Sequence, residues 1–423
     1  MKKIFLILLI VLFSGIVFGG AALFLFPYNP VEPPQVDTNG STLEGINQVV
    51  NANNQFGLDL YSVLSKKAGD EENLFFSPYS ISTSFSMAYE GANGETAKQI
   101  KDVFYFPEND VLRSNSAAIY TNLNKKDKSY ELRTGNALWT QKDYKFLDEY
   151  KAVVEKYYGG KAADLDFIND NENSRLTINQ FIEDQTNGRI QDLIPQAPKV
   201  LTQDTRLVIT NAIYFKGSWK YEFDKSETRN LDFKITPEKI IKVPTMVMVP
   251  EDKYFNYLDT DDLQILELPY KDDEISMLIL LPKEDLVSLE KDLTSKKLND
   301  WKSEMKETEL TNIHLPTFEF DTKYVDLKKD LNKMGVVDAF NYKADFSKMN
   351  GRTDLLISDV IHQAFIKVDE KGTEAAAATA IMISQKAMIE SLEFNADHPF
   401  IFIIQEKETG NILFIGRVIN PSA

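Results

Sequence analysis

Cysteine is absent from this 423-residue chain, and histidine occurs only three times, as His314, His362 and His398. The lack of cysteine excludes disulfides, thiolate metal sites, a cysteine nucleophile and a lipidated N-terminal cysteine. The scarcity of histidine restricts metal binding and general-base catalysis. His314 lies in a strand-like segment and His398 precedes a proline and an apolar strand, so we interpret both as structural residues.

Basic residues are fewer than acidic residues. The chain has 47 Lys and Arg against 64 Asp and Glu, which gives a formal net charge of −17. A surface of this sign repels phosphate, so we expect no nucleic-acid partner. Hydrophobic residues make up 43% of the chain and charged residues 26%, which indicates a folded globular protein rather than a disordered one.

Signatures of common enzymes are missing as well. The chain contains no GxSxG, HExxH, GxxxxGK[ST] or GxGxxG motif. The acidic pairs at 261–262 and 272–273 fit turns better than the paired carboxylates of a glycosidase. We therefore predict a protein that is not an enzyme, with no catalytic residues, no cofactor and no metal site.

An apolar run of 23 residues, from Ile4 to Phe26, follows Lys2 and Lys3. It is long enough to span a membrane, which takes about 20 residues, and longer than the apolar part of a secretory signal, about 7–15 residues. The small residues at 19–22 would suit a signal peptidase, so a cleaved signal peptide is the alternative. We favour an uncleaved anchor helix over residues 1–26. The lysines should stay in the cytoplasm. The rest of the chain is then extracytoplasmic, either anchored to the membrane or secreted.

The remaining sequence divides into a Pro-rich linker at 27–44 and one folded domain at 45–423, without further linkers or repeats. Apolar residues at helical spacing predict a helix over 49–64, and Ser77-Pro78 predicts the start of another.

Strand patterns dominate later in the chain. We predict a buried strand at 206–215 and two hairpins, formed by 264–269 with 275–281 and by 400–405 with 412–419. The predicted fold class is α+β, a single domain with large, mainly antiparallel β-sheets and surrounding helices.

One segment, residues 370–386, allows two interpretations. Its four consecutive alanines favour a helix. As a strand, its alternate residues from Thr373 to Gln385 form one face without charge or proline, which would fit between existing strands. A segment that can be a loop or a central strand suits a bistable molecule.

Five motifs, in order along residues 46–423, resemble the serpin family of serine protease inhibitors. They are 73–81 (NLFFSPYSI), 210–219 (TNAIYFKGSW), 370–379 (EKGTEAAAAT), 394–400 (FNADHPF) and 414–418 (FIGRV). The resemblance implies the serpin fold, with an exposed reactive loop at about 370–393. It also implies a suicide-substrate mechanism: a serine protease cleaves the loop and forms an acyl-enzyme. The loop then inserts into the main sheet as a new strand and distorts the trapped protease.

The resemblance also assigns residue roles in the loop. In similar sequences the cleaved bond follows the hinge glutamate by about 16 residues, which predicts cleavage between Lys386 and Ala387. A lysine there would select a trypsin-like protease; cleavage after Met382 or Met388 is the alternative. The hinge comprises Glu370, Gly372, Thr373, Glu374, Ala375, Ala376, Ala377, Ala378 and Thr379.

Other residues match positions that hold the central strands of serpins closed. Ser77, Ser80, Asn211 and His362 are the predicted sheet-gating residues, and Trp219 matches a tryptophan near the point where insertion starts. The chain departs from the family at Phe181, where many members have Trp, and at Thr317, where many have Lys. The second difference removes a salt bridge to Glu370.

The resemblance leaves several functions open. We favour a monomeric inhibitor with a trypsin-like serine protease as partner, and a membrane partner only through an uncleaved N-terminal segment. A non-inhibitory serpin, acting as a chaperone or binding protein, would have a charge or proline among the inserting residues. An extracellular ligand-binding or adhesion module would have two lobes and a loop that resists protease.

Overall fold

The computed structural model describes residues 34–125, 128–196, 200–373 and 392–422. The helices within these ranges are α1 (Leu43–Ala68), α2 (Pro78–Gly91), α3 (Gly94–Phe104), α4 (Asn109–Leu123), α5 (Asp148–Tyr158), α6 (Asn171–Gln185), α7 (Leu286–Asp292), α8 (Ser295–Glu304), α9 (Leu327–Met334) and α10 (Ser347–Asn350).

The strands in the same ranges form three sheets. They are β1 (Leu74–Phe76), β2 (Tyr130–Thr134), β3 (Ala137–Gln141), β4 (Lys161–Leu165), β5 (Leu207–Ser218), β6 (Arg229–Thr236), β7 (Lys239–Met248), β8 (Phe255–Asp259), β9 (Leu263–Pro269), β10 (Ile275–Pro282), β11 (Lys306–Thr308), β12 (Asn312–Pro316), β13 (Phe318–Tyr324), β14 (Ile357–Asp369), β15 (Gly372–Thr373), β16 (Glu393–Asn395), β17 (Phe400–Glu406) and β18 (Ile412–Val418).

The sheet that carries the hinge is called the main sheet below. Its order is β13-β14-β15-β5-β3-β4, and β2 pairs with β5 beside β3. A second sheet has the order β1-β18-β17-β10-β9-β8-β11, and a third has β16-β12-β7-β6. Most pairs are antiparallel, but β5 and β14, the two central strands of the main sheet, run parallel. The predicted α+β class with large, mainly antiparallel sheets is confirmed.

The central strands of the main sheet are buried on both faces. Leu207 and Ile209 of β5 face one core, while Val208 and Ala212 pack with Ile178 and other residues of α6 on the opposite side. A strand covered on both faces needs apolar residues at nearly every position. This is why most residues of 206–215 are apolar, and the predicted strand is confirmed as β5.

The two predicted helices are confirmed. The Thr42 hydroxyl accepts a hydrogen bond from Gly45 N and begins α1, which buries Phe56, Leu60 and Leu64. The Ser77 hydroxyl accepts from Ser80 N and begins α2, with Pro78 in its first turn. Both capping side chains satisfy an N–H group that has no partner within its own helix.

The two predicted hairpins are also confirmed. Strand β9 pairs with β10 from Leu263–Pro282 to Pro269–Ser276, and β17 pairs with β18 from Phe400–Val418 to Gln405–Ile412. The two hairpins meet side by side, because β10 also pairs with β17.

The described chain before α1 contacts the folded body. Asp37 N donates to Lys156 O at 2.7 Å, and the two side chains form an ion pair at 3.0 Å. The described residues within 33–423 form one compact unit, and α1 begins two residues before the predicted boundary at 45. The predicted anchor or signal, residues 1–26, lies outside the described residues. Within the described ranges, no helix is both long and apolar enough to cross a membrane.

Arg417 of β18 is a buried cation, with only 1% of its side chain exposed. Its guanidinium donates to Glu290 Oε1 at 2.8 Å and to the carbonyl of Glu72 at 3.1 Å, and also bonds the carbonyl of Gly69. Tyr61 of α1 donates to the same Glu290 oxygen at 2.8 Å. This network joins α1, α7 and β18 around one charge.

We predict that Arg417→Met destabilises the protein by about 3–5 kcal/mol, because Glu290 loses its cation while remaining mostly buried. Lys98→Met is the control, since Lys98 and Asp102 form an exposed pair on α3 and its loss should cost at most about 0.5 kcal/mol. Guanidinium unfolding measures both variants. Equal effects of the two substitutions would contradict a structural role for the Arg417 network.

Candidate functional site

The predicted gating residues meet at the centre of the main sheet. His362 of β14 and Asn211 of β5 are opposite each other in the strand register, and His362 Nδ1 is hydrogen-bonded to Asn211 Oδ1. Ser77 N donates to His362 Nε2 at 3.1 Å, and Asn211 Nδ2 donates to Ser80 Oγ at 2.6 Å. The structure therefore brings Ser77, Ser80, Asn211 and His362 into one buried cluster, called the gate cluster below.

Two further members of this region were missed in the sequence. Asn136, between β2 and β3, accepts hydrogen bonds from Asn211 Nδ2 at 2.6 Å and Ser80 Oγ at 2.8 Å, and Ser84 Oγ accepts from Asn211 Nδ2 at 3.1 Å. The Gly135-Asn136 dipeptide reads as an exposed turn, so nothing in the local pattern marks Asn136 as a buried partner. Its role becomes visible only in the structure, where α2 packs on the main sheet and brings Ser80 to Asn136.

The hydrogen bonds define the protonation of His362. Because Ser77 N–H must donate, Nε2 is the acceptor, and the single proton of the neutral ring resides on Nδ1 and points to Asn211. The ring is fully buried, and burial lowers the pKa of His362 from 6.5 to about 3; hydrogen bonding to the backbone of Asn211 only partly offsets this shift. The neutral ring thus joins the two central strands.

The described part of the predicted hinge lies inside the main sheet. Gly372 and Thr373 form β15, which pairs antiparallel with β14 at Asp369 and Val368 and with β5 at Ser218 and Gly217. Gly372 has φ +147°, and a Cβ atom there would lie 2.0 Å from the Gly217 carbonyl oxygen. Only glycine can pass this point without moving the backbone.

Trp219 lies at the same end of the sheet, next to the hinge. Its indole N–H donates to the Asp369 carbonyl at 3.0 Å, and its backbone N–H donates to the Lys371 carbonyl at 2.8 Å. Its ring stacks on Tyr270 with 4.5 Å between centroids. Trp219 thus contacts the residues that lead into the hinge, and its role at the start of insertion stays a prediction. No local pattern marks Tyr270 as a partner of the hinge, because it reads as the flank of a hairpin turn.

The structure accommodates both departures from the family pattern. The Glu370 carboxylate accepts a hydrogen bond from the Thr228 hydroxyl at 2.7 Å, while Thr317 N donates to the carbonyl of Pro244 at 2.9 Å. Phe181 packs edge-on against Trp139, with 5.4 Å between ring centroids. The Thr228 hydroxyl therefore contacts Glu370, and Phe181 of α6 makes an aromatic contact with the main sheet.

Several predicted site residues lie outside the described residues: Glu374, Ala375, Ala376, Ala377, Ala378, Thr379, Lys386 and Ala387. His398 lies between β16 and β17, where Nδ1 is 2.7 Å from Asp397 Oδ1 and Nε2 is 2.6 Å from the Pro282 carbonyl. Across the described ranges, no cluster of three or more His, Asp or Glu could hold a metal ion.

The pKa of His362 predicts a loss of stability in acid. Below pH 6.5 the unfolded chain binds a proton at this residue, whereas the folded protein does so only near pH 3. Stability present above pH 6.5 is therefore lost as the pH falls, by about 1.4 kcal/mol per pH unit for one proton. In His362→Gln this contribution disappears, so the slope of unfolding free energy between pH 4 and 6 should decrease by about one proton. Identical slopes would contradict the buried neutral ring.

The close approach at Gly372 predicts that Gly372→Ala removes β15 from the sheet. The added methyl group meets the backbone of β5, and strain of about 1–3 kcal/mol should speed hydrogen exchange of the Trp219 amide by on the order of tenfold or more. Gly351→Ala is the matched control, because Gly351 also has positive φ but no heavy atom near the added Cβ. Unchanged exchange in Gly372→Ala would contradict the seated hinge.

Comparisons with known proteins agree with this geometry. The sequence model of the family described as Serpin (serine protease inhibitor) matches residues 51–421. A serpin-like protein of Methanosarcina acetivorans is 45% identical over 379 residues, covering 88% of this chain and 87% of that protein. The human leukocyte elastase inhibitor is 39% identical over 384 residues, covering 88% of this chain and all of that protein.

A solved structure is similar in fold as well. Human thyroxine-binding globulin, complexed with thyroxine, superimposes with a TM-score of 0.81 at 30% identity, covering 90% of this chain and 100% of that chain. The match of the family model to most of the sequence, the similar relatives and the shared fold together show that this chain belongs to the serpin family.

Proposed function

We propose that this protein is an inhibitor of serine proteases and not an enzyme. It acts as a suicide substrate: a trypsin-like protease cleaves the Lys386–Ala387 bond, and the freed loop inserts into the main sheet while the protease is held as an acyl complex. The inhibitor is a monomer that works outside the cytoplasm, either on a membrane anchor formed by residues 1–26 or secreted after cleavage. It needs no cofactor.

The observation that carries the proposal is the position of β15. Gly372 and Thr373 already pair with β14 on one side and β5 on the other. The loop therefore enters the sheet between the two strands that insertion must separate. The residues after Thr373 can lengthen β15 by continuing the same antiparallel pairing with β14 and β5.

The register of β15 defines where an inserted loop would lie. Each further loop residue pairs one residue back along both β14 and β5, so residue 379 arrives opposite His362 and Asn211 together. Residues 375 and 377 would then face the core beside Ile366 and Ala364. These loop positions are Ala375, Ala377 and Thr379, small side chains that a packed core can accept.

The energetic logic follows from the gate cluster. The direct pairing of β14 with β5 ends at Ala364 and Ile213, so inserting the loop beyond this level breaks the His362–Asn211 hydrogen bond. A new central strand would add pairing on both its edges and bury its apolar face. The uncleaved loop is tethered at both ends, and cleavage releases one of them. We infer that the gate keeps the sheet closed until then.

The direct test mixes the full chain, purified in mild detergent, with an equimolar amount of trypsin. We expect a complex that survives denaturing electrophoresis and a released peptide of residues 387–423, identified by mass. Lys386→Glu should abolish the trypsin complex, because an acidic residue does not fit a pocket that contains aspartate. A complex of unchanged yield with this variant would contradict the assigned bond. Elastase belongs in the same assay, since one relative is named for inhibiting it.

Two neighbouring substitutions separate trapping from cleavage. Thr373→Arg places a charge at a buried position and should give a substrate that is cleaved but forms no complex, because an unpaired buried charge is costly. Glu374→Arg is the matched control: if the loop inserts in the register of β15, residue 374 would face solvent beside exposed Lys216, so this variant should keep most of the complex. Equal trapping by both variants would contradict insertion.

The other outcomes distinguish the alternatives. Complete cleavage without a complex, by trypsin and elastase alike, would favour a non-inhibitory serpin. The similar thyroxine-binding globulin, which its structure shows complexed with thyroxine, supports this alternative. Against it, the inserting positions of this chain carry no proline and no inward-facing charge. A loop that no protease cuts would contradict the exposed-loop proposal itself.

A further inference from the structure

Tyr270 occupies a buried site between the main sheet and the β9–β10 hairpin. Its ring stacks on Trp219 with an interplanar angle of 18° and packs edge-on against Phe215 with 5.1 Å between centroids. The side chain is fully buried, but its hydroxyl lies 2.7 Å from the Thr373 hydroxyl. Burial raises the pKa of Tyr270, so the phenol remains protonated and available for this hydrogen bond.

The Thr373 hydroxyl needs the Tyr270 hydroxyl as a hydrogen-bond partner, because it is buried. Only 1% of the residue is exposed, so water cannot replace the phenol as a partner of its hydroxyl. A buried hydroxyl without a partner loses its hydration without compensation. The Tyr270 hydroxyl therefore favours Thr373 inside the sheet over Thr373 in solvent.

The surrounding backbone brings Thr373 to this site. The carbonyls of Lys371 and Glu370 accept hydrogen bonds from Trp219 N and Phe223 N, each at 2.8 Å. Thr373 then pairs with Val368 and Gly217, beyond the point where direct pairing of β14 with β5 ends. The first inserted residue thus keeps this end of the two strands apart.

We propose that Tyr270 is a positioning residue for loop insertion, whose hydroxyl holds Thr373 seated in the main sheet before any protease arrives. This inference rests on the proposed inhibitory function. After cleavage, the loop extends the strand from Thr373, which is already paired in the sheet. The two strands therefore do not have to be separated at this end first. The Tyr270–Thr373 hydrogen bond thereby raises the fraction of encounters that end in trapping rather than in hydrolysis.

The test compares Tyr270→Phe with the unchanged full chain. Phenylalanine keeps the ring contacts with Trp219 and Phe215 and removes only the hydroxyl. We expect the number of inhibitor molecules consumed per protease trapped to rise severalfold, with a matching increase in cleaved, uncomplexed chain. Hydrogen exchange of the Trp219 amide should become faster, because the hinge leaves its seat more often. The double variant Tyr270→Phe with Thr373→Val removes both hydroxyls, leaves neither unpaired, and should restore both values.

Tyr257→Phe is the matched control. Tyr257 is also a buried tyrosine whose hydroxyl has a side-chain partner, Gln264 at 2.7 Å, but it lies in β8, away from the hinge. It should lower the unfolding midpoint without changing the consumption per trapped protease. A change in consumption as large as that of Tyr270→Phe would show a general loss of stability and overturn the proposal.

Failure of this proposal differs from failure of the proposed function. If the unchanged chain traps protease and Tyr270→Phe does so equally well, the inhibitory function stands and the role of Tyr270 is overturned. If no protease is trapped, hydrogen exchange of the Trp219 amide tests the role of Tyr270 by itself. Slower exchange in the double variant than in Tyr270→Phe supports the hydrogen bond that holds Thr373 in the sheet. Effects of the two substitutions on exchange that simply add overturn it. Thr373→Val alone, which orphans the Tyr270 hydroxyl, gives the same readout if Tyr270→Phe does not fold.

Discussion

A hydrogen bond between two buried side chains, His362 and Asn211, lies at the centre of the main sheet. It joins β14 and β5, the parallel pair at the centre of the main sheet. Because β14 and β5 run parallel, a strand that separates them can run antiparallel to both. The two-residue β15 already runs in that direction. We infer that a wider sheet requires breaking both this buried polar contact and the backbone pairing of β14 with β5.

The gate cluster is suited to holding β14 and β5 together, because each of its polar atoms has a defined partner. Ser77 and Ser80 come from the start of α2, so the cap that begins this helix also supplies the donors and acceptors beneath the sheet. A neutral imidazole accepts on one side and donates on the other, which no aliphatic side chain can do. Opening the gate disrupts a helix terminus and a strand pair together, which makes the closed state cooperative rather than gradually deformable.

Much of the scaffold follows from patterns that the sequence displays locally. Helix α2 follows from Ser77-Pro78, and the hairpins follow from apolar runs around polar turns, because capping and alternation involve near neighbours. The gate residues were assigned by resemblance. Asn136 and Tyr270 could not be predicted in either way, since each reads as a turn or strand flank, and its partner is 75 or 103 residues distant in the chain. Such contacts exist only once the sheets have assembled.

We infer that the uncleaved chain holds its sheet in a closed, less stable arrangement that loop insertion relieves. The most direct measurement is the thermal unfolding midpoint of the chain before and after a single cut in the loop, with the cut fragments kept together. Breaking a peptide bond in an ordinary loop leaves stability unchanged or lowers it. We expect a large increase in the midpoint, because the freed loop becomes a central strand. A midpoint that falls or stays the same would contradict it.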